Sequence, residues 1–342
     1  MEAPSQTAAE IAEAPEKVAI LLERENGNLR LIAHEIAMRA PTCFVTNARG
    51  TSDNAAWFFK YAAEIHSGMP VASIGPSVAS IYGARLRLSG VVCLSVSQSG
   101  RSPDLVAAQA AANSSGAMTI AIVNDGNSPL AREANHVIPL HAGSELGIAA
   151  TKSFICSVAA LAALVAELCD DQALRGALAR LPEHLCHAGT LDWSDASCEL
   201  GRSKAMYVTG RGPGLAIASE AALKLKEMAA IHAEAISSAE LMHGPIRLVR
   251  PSFPVLAFAS ADAARPGMLS VLEKLIALGA NVYSVGTSLP MGHSLPAVAT
   301  GHALTDTIAA AQSFYVFAEQ LTRAMGLDPD NLPGLCKVTM TL

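Results

Sequence analysis

Short apolar segments alternate with long alanine-rich segments along most of the chain. In the first half, the apolar runs cover residues 42–46, 91–96 and 119–123, and each is followed by Gly, Ser, Asn or Asp and then by helical periodicity. Continuous apolar strands separated by helix-length segments are typical of a parallel sheet covered by helices on both faces. The pattern predicts an α/β fold, preceded by a helical segment that Pro15 interrupts.

The second half of the chain repeats this order at a spacing of 162 residues. This offset places Arg49-Gly50 on Arg211-Gly212, and it aligns the ends of the next two strands of each half within a residue. Three matching strand ends indicate a tandem duplication of one α/β unit. We place a helical lead at 1–30, the first domain at 31–188, the second domain at 189–330 and a C-terminal tail at 331–342.

Composition excludes several classes of protein. Of the 342 residues, 51% are apolar and 16% are charged, and the formal net charge is −6 with no basic block, which argues against disorder and nucleic-acid binding. The seven cysteines are scattered and form no Cys-x-x-Cys pair, which favours a reduced cytoplasmic setting. The N-terminus lacks the pattern of a signal peptide, and the apolar stretch 154–168 is too short to span a membrane. We therefore expect a soluble protein and a buried helix at 154–168.

A polar turn follows the apolar run at 91–96. Pro103 suits the first position of a helix and Ser102 suits its N-cap. Hydroxyl and amide groups at a helix start can hold a phosphate together with the backbone N–H groups, although an ordinary capped turn has the same composition. An earlier turn supplies further donors, whereas the matching turn of the second half, 259–262, has no such cluster. The candidate phosphate ligands are Gly50, Thr51, Ser52, Ser97, Gln98, Ser99 and Ser102.

A predicted helix in the second half carries charges on one face. Glu220, Lys224 and Glu227 follow i, i+4, i+7 spacing, which places their side chains together. A solvated salt-bridge face has the same spacing, but this helix begins at the glycine-rich end of a predicted strand, which favours a functional interpretation. A carboxylate beside a lysine is also suited to moving a proton between adjacent sugar carbons, and Lys224 could stabilise developing negative charge on oxygen.

Histidines give a weaker signal. A lone histidine such as His243 is more often structural, but one that precedes a Gly-Pro turn could act as an acid or base in opening a sugar ring. His184 and His187 have no further ligands spaced near them and are interpreted as a helix end. We therefore expect no metal site and no organic cofactor.

Taken together, these motifs resemble the sugar-isomerase (SIS) half of glucosamine-6-phosphate synthase. The resemblance extends over nearly the whole chain, since residues 10–15 and 335–339 are similar to the start and end of that half. It implies two tandem SIS domains, each a flavodoxin-like parallel sheet with helices on both faces. The similar internal segments are Ser97–Gly100, Glu145–Lys152, Glu220–Glu227, His232–Ala235 and His243–Pro245.

The resemblance also implies roles for individual residues. Glu227 would carry a proton between C1 and C2 of a phosphosugar, and His243 of a neighbouring subunit would help open the ring, so a homodimer with a shared site is expected. Lys337, in the tail that closes the active site, would face the sugar carbonyl and could form a Schiff base. Besides the turn residues above, the substrate-binding set includes Ile148, Ala149, Glu220 and Cys336.

Departures from the family pattern guide the choice of reaction. Arg49 stands where the synthase has a cysteine, Arg101-Ser102 replaces Glu-Thr, and the 342 residues contain no segment that resembles the glutaminase half. We therefore expect an isomerase/deaminase that converts an amino-sugar 6-phosphate, with glucosamine 6-phosphate as the leading candidate, to fructose 6-phosphate and ammonia. A fructosamine-6-phosphate deglycase, an ammonia-dependent glucosamine-6-phosphate synthase and a non-catalytic sugar-phosphate sensor are the alternatives.

Overall fold

The computed structural model describes residues 4–337. Two compact units divide the chain. One, called here the first-sheet unit, comprises residues 16–145, 152–179, 336 and 337, and the other, the second-sheet unit, comprises residues 4–15, 146–151 and 180–335. The domain boundaries given above follow the sequence repeat rather than this grouping and stay a prediction.

A five-stranded parallel sheet lies in the first-sheet unit. Its strands are β1 (Cys43–Asn47), β2 (Val71–Ser73), β3 (Val91–Ser97), β4 (Met118–Val123) and β5 (His136–Pro139). The spatial order is β2-β1-β3-β4-β5, with every neighbouring pair parallel. Every residue of the central strands β3 and β4 is buried, which explains their mainly apolar sequence. The helices before and between these strands are α1 (Gln6–Arg39), α2 (Gly50–Ser67), α3 (Ser77–Ser80), α4 (Pro103–Ser114) and α5 (Pro129–Arg132), and α6 (Lys152–Leu168) and α7 (Gln172–Ala179) follow them.

The second-sheet unit repeats this topology. After α8 (Leu181–Ala188) and α9 (Ser194–Leu200), its strands are β6 (Ala205–Gly210), β7 (His232–Ser237), β8 (Pro254–Phe258), β9 (Asn281–Val285) and β10 (His293–Leu295). Their order, β7-β6-β8-β9-β10, equals that of the first sheet, and all pairs are parallel. The predicted fold class, two flavodoxin-like α/β domains, is confirmed. The remaining elements are α10 (Pro213–Ala229), α11 (Ser238–Leu241), a 3-10 turn (Pro245–Leu248), α12 (Arg265–Ala277) and α13 (Ala303–Ala324).

The buried helix predicted at 154–168 is α6. It is buried continuously from Lys152 to Ala166, so its apolar sequence reflects a core position. Within residues 4–337, no helix combines the length and the apolar character needed to cross a membrane.

Helix α1 continues through Pro15, and the predicted interruption there is wrong. Proline has no N–H, so the carbonyl of Ile11, four residues earlier, loses its helical donor. The buried side chain of Gln312, on α13, supplies that donor, since its Nε2 lies 2.9 Å from the Ile11 carbonyl oxygen. An amide from a distant helix thus allows a proline inside an unbroken helix.

The start of α1 is capped by a residue from far along the chain. The carboxylate of Asp330 accepts hydrogen bonds from the backbone N–H of Gln6 at 2.7 Å and from the N–H and hydroxyl of Thr7, both at 2.8 Å. Burial acts to raise the pKa of Asp330, but these donors together outweigh it and hold the pKa below its ordinary value. The carboxylate thus supplements the local N-cap residue Ser5, whose hydroxyl accepts a hydrogen bond from the N–H of Ala8 at 3.0 Å.

Candidate functional site

The two turns predicted to bind phosphate lie at the same edge of the first sheet. β1 and β3 are adjacent and parallel, so their carboxyl ends, which lead into α2 and α4, meet at one edge. The side-chain amide of Asn47 joins them, since it donates to the Ser95 hydroxyl at 2.9 Å and to the Leu105 carbonyl at 3.1 Å. Thr51 and Ser52 lie in the first turn of α2. The structure therefore brings both donor-rich segments to one place.

The turn after β3 has a shape that depends on glycine. Gly100 has φ +60°, and a Cβ atom there would overlap the side chain of Ser128. The buried hydroxyl of Ser97 accepts a hydrogen bond from the Gly100 N–H at 3.1 Å, so Ser97 shapes the turn. Ser102 occupies the predicted N-cap position, but its side chain makes no capping hydrogen bond. Gln98 and Ser99, which lie between Ser97 and Gly100 in this turn, are partly exposed.

An ion pair that the sequence did not reveal braces these two turns. Nε and Nη2 of Arg49, just before α2, both lie 3.0 Å from Oδ2 of Asp104 in the first turn of α4. The Asp104 side chain is fully buried, and its Oδ1 accepts the N–H of Leu105 at 2.9 Å. Burial raises the pKa of Asp53, and Arg49 opposes part of that shift. The arginine that replaces the family cysteine thus links the starts of α2 and α4. The one signal in the sequence was an acidic residue directly after the polar turn.

The charged face of α10 is buried in the second-sheet unit. Glu220 and Lys224 are each 1% exposed, which excludes a solvated salt-bridge face. The Lys224 Nζ lies 2.5 Å from Glu227 Oε2 and 3.5 Å from Glu220 Oε1. The hydroxyl of Tyr315, which sequence reasoning missed, donates to Glu220 Oε1 at 2.9 Å. Of Glu220, Lys224 and Glu227, only Glu227 is partly exposed, with 24% of its side chain accessible. A small molecule can therefore reach the Glu227 carboxylate, which the buried Lys224 ammonium group holds in place.

The position of this cluster along α10 differs from the expected one. Glu227 is in the last turn of the helix, about 20 Å along the axis from the glycine-rich start at Pro213. The carboxyl end of β6 therefore does not place Glu227, and the relation between the strand end and the candidate base that favoured a functional interpretation does not hold. Burial and ion pairing support that interpretation instead.

Lys337 is held by an ion pair within the first-sheet unit. Its Nζ lies 3.1 Å from Oε2 of Glu145, whose side chain is fully buried. Glu145 also accepts hydrogen bonds from the N–H of Ser153 at 3.0 Å and from its hydroxyl at 2.7 Å. The neighbouring Cys336 is exposed. A tail lysine with no distinguishing sequence context thus has a fixed partner, and Glu145 is a further residue that sequence analysis had noted only as part of a matching segment.

Four candidate residues lie outside these clusters. His243 follows α11 and is exposed, Ile148 is partly buried and Ala149 is buried. In the described part of the chain, these three and Cys336 join none of the clusters through a side-chain hydrogen bond or ion pair. Their predicted roles stay predictions.

Comparison with known families identifies the chain. The family described as SIS domain matches residues 43–167 and 199–290, which contain the first sheet and most of the second. The chain belongs to the SIS domain family. The resemblance inferred from the motifs is therefore confirmed.

Similar SIS proteins include enzymes of sugar phosphates. The isomerizing glutamine–fructose-6-phosphate aminotransferase of Methanothermobacter thermautotrophicus is 36% identical over 81% of this chain and 46% of its own length. A protein of Silicibacter pomeroyi DSS-3 assigned as a phosphosugar isomerase is 43% identical, with a TM-score of 0.92 over 96% of this chain and 100% of that one. The C-terminal domain of the Francisella tularensis glucosamine-fructose-6-phosphate aminotransferase is 26% identical, with a TM-score of 0.85 over 96% and 98%. The chain spans about half the length of the curated relatives it matches.

Proposed function

We propose that this chain is a phosphosugar isomerase/deaminase that converts an amino-sugar 6-phosphate, with glucosamine 6-phosphate as the preferred substrate, to fructose 6-phosphate and ammonia. The observation that carries the proposal is the partly exposed Glu227 carboxylate, paired at 2.5 Å with the buried Lys224. The 43% identity to a protein assigned as a phosphosugar isomerase supports the same class of substrate.

In the proposed reaction, Glu227 acts as the proton carrier. Its carboxylate removes the proton from C2 of the open-chain aldose, which gives an enolamine, and returns a proton to C1. The imine left at C2 is then hydrolysed, so that one water is consumed and one ammonia is released. Lys224 is suited to hold the Glu227 carboxylate in one orientation, because it is itself fixed against Glu220.

The substrate phosphate would bind at the two turns of the first sheet. Backbone N–H groups at the starts of α2 and α4 and the hydroxyls of Thr51, Ser52, Ser99 and Ser102 are suitable donors. Arg49 adds a positive charge that its Asp104 partner balances. Hydroxyl and amide donors suit a phosphate ester, because they bind its oxygens through many short contacts.

Lys337 and His243 complete the proposal. Lys337 would face the sugar carbonyl, either as a donor to its oxygen or as the amine of a Schiff base, in which case it must first lose its proton. His243 would assist ring opening from a second copy of the chain in a homodimer. The exposure of His243 is compatible with that role.

The reaction can be tested with purified protein. We expect ammonia and fructose 6-phosphate to form in equal amounts from glucosamine 6-phosphate, and Glu227→Gln to lower kcat by about 10²- to 10⁴-fold. Glu273→Gln, at an exposed glutamate of α12, is the matched control and should leave kcat unchanged. Turnover of a fructosamine 6-phosphate alone would favour a deglycase. Binding without turnover, unaffected by Glu227→Gln, would favour a sensor.

The shared site can be tested by mixing variants. His243→Ala and Glu227→Gln homodimers should each be nearly inactive, and exchange of subunits should restore part of the activity if each site takes one residue from each chain. Mixtures that remain as inactive as the separate variants would refute a shared site.

A further inference from the structure

A cavity of about 520 Å³ lies in the second-sheet unit, at the carboxyl ends of β8 and β9. The sequence there, 259–262, lacks the hydroxyl cluster of the first domain and predicts no anion site. The volume falls in the range of small-molecule sites, and the carboxyl edge of a parallel sheet is their usual place. The polar residues that line the cavity include Ser260, Arg265, Thr287, Ser294 and Asp306.

Arg265 presents an unsatisfied donor to this cavity. Its Nη2 donates to the carbonyl oxygen of Ala259 at 3.3 Å and to that of Gly286, which fixes the guanidinium group. Its Nε is buried and makes no hydrogen bond within residues 4–337, and the same is true of the Ser260 hydroxyl. Both atoms lie beneath the cavity wall, so an incoming anion reaches the rest of the fixed guanidinium group, whose Nη1 makes no hydrogen bond within residues 4–337.

The charges around the cavity define what that ligand looks like. Arg265 forms no ion pair among the described residues, so its positive charge is available to an anion. Asp306 also lines the cavity and already accepts hydrogen bonds from the N–H of Thr300 at 2.7 Å and from its hydroxyl at 2.8 Å. A carboxylate there repels a second anionic group but accepts hydrogen bonds from hydroxyls. Thr287 and Ser294 add further hydroxyl groups to the lining.

We propose that this cavity is a second small-molecule site, which binds a hydroxylated anion, a sugar phosphate or a sugar acid, with the anionic group at Arg265 and the hydroxyls toward Asp306. It shares no residue with the clusters assigned to the proposed reaction. Its occupancy does not depend on turnover, so the proposal stands or falls separately from the proposed function.

Isothermal titration of the full chain with glucose 6-phosphate, gluconate and inorganic phosphate tests the proposal. We expect a class of binding that Arg265→Met weakens at least tenfold, because a charge-assisted hydrogen bond is lost. Arg202→Met, at an exposed arginine of the same unit, is the matched control and should leave it unchanged. The double variant Ser99→Ala/Ser102→Ala should also retain it, which separates this site from the proposed phosphate site.

The probes and a second variant make each result decisive. Tighter binding of glucose 6-phosphate than of gluconate identifies a phosphate ligand, and the reverse order identifies a carboxylate. Ser260→Leu fills the cavity beside the guanidinium group and should abolish the same binding even if Arg265→Met does not fold. The proposal is overturned if none of the three probes binds, if Arg265→Met and Ser260→Leu bind like the wild type, or if the Ser99/Ser102 double variant alone removes all binding.

Discussion

The hydrogen bond that replaces the missing N–H of Pro15 can be measured as a free energy. Gln312→Met keeps the volume of the side chain and removes the Nε2 donor, which leaves the Ile11 carbonyl without its partner. Gln312 and Ile11 are 1% and 3% exposed, so the donor and the acceptor are both buried. An unpaired buried carbonyl costs about 1–3 kcal/mol, whereas a volume-conserving substitution costs little by itself. We expect Gln312→Met to lower the free energy of unfolding by about 2 kcal/mol.

A double-mutant cycle isolates this contribution. Pro15→Ala restores a backbone N–H four residues after Ile11, so the helix can satisfy the carbonyl without help. In that background Gln312→Met should cost less than about 0.5 kcal/mol, which leaves a coupling energy on the order of 1.5 kcal/mol between the two positions. Gln320→Met, at an exposed glutamine of the same helix, is the matched control and should have little effect.

Urea unfolding followed by circular dichroism gives the four free energies of the cycle. The m value should stay constant across the variants, so that a shift of the midpoint reports stability alone. If the effects of Pro15→Ala and Gln312→Met are additive, or if Gln312→Met is as mild as Gln320→Met, the Gln312 amide does not stabilise α1 and the explanation of its continuity is wrong.

Three further predictions follow from the ion pair, the cap and the buried thiols. Arg49→Met should lower the free energy of unfolding in urea by about 2 kcal/mol, because it leaves the buried Asp104 carboxylate without its ion-pair partner; the half-exposed position of Arg49 limits the loss. Adding Asp104→Asn should recover most of that loss, because it removes the buried charge. An Arg49→Met protein as stable as the wild type would contradict this. Asp330→Ala should cost about 1 kcal/mol at neutral pH, because it removes the carboxylate that caps α1. The pKa of Asp330 is lower in the folded than in the unfolded protein. The stabilisation by its carboxylate is therefore complete above the unfolded pKa and is lost as the pH falls through the folded pKa, so the stability difference between wild type and variant should shrink below about pH 4. An equal difference at about pH 3 and pH 7 would refute the cap. Burial raises the pKa of the Cys93 thiol to about 12 and also raises that of Cys156. A maleimide reagent should therefore label both thiols only after unfolding. Labelling of either thiol in the folded protein as fast as that of the exposed cysteines would contradict their burial.

The strands and their duplication were predictable because they depend on local sequence. Apolar runs mark the buried strands of a parallel sheet, and the ends of β1, β3 and β4 agree with those of β6, β8 and β9 at the 162-residue offset within one residue. The spatial order of the strands follows from the family resemblance. The two turns that we propose as the phosphate site were predictable as glycine- and hydroxyl-rich turns for the same reason, since such residues at a helix start form a local pattern.

The parts that sequence reasoning missed depend on pairs of residues far apart in the chain. The donor that lets α1 pass through Pro15 is 301 positions from the carbonyl it satisfies. Likewise, Tyr315 meets Glu220 across 95 positions, and Glu145 meets Lys337 across 192. No periodicity or motif connects such residues. The sequence showed Arg49 only as a departure from the family pattern. Its ion pair with Asp104 could not be predicted, because it depends on the starts of α2 and α4 lying at the same edge of the sheet.

The cap on α1 sets the order in which the second-sheet unit can be completed during synthesis. Asp330 is 324 positions after the Gln6 N–H that it binds, whereas all five strands of the first sheet lie within residues 43–139. At roughly 5–20 residues per second, the ribosome adds the intervening chain in about 15–65 s. The first turn of α1 therefore emerges with its local cap, Ser5, long before the Asp330 carboxylate exists. The last contacts of the second-sheet unit form on the timescale of translation, after the first sheet has had ample time to fold.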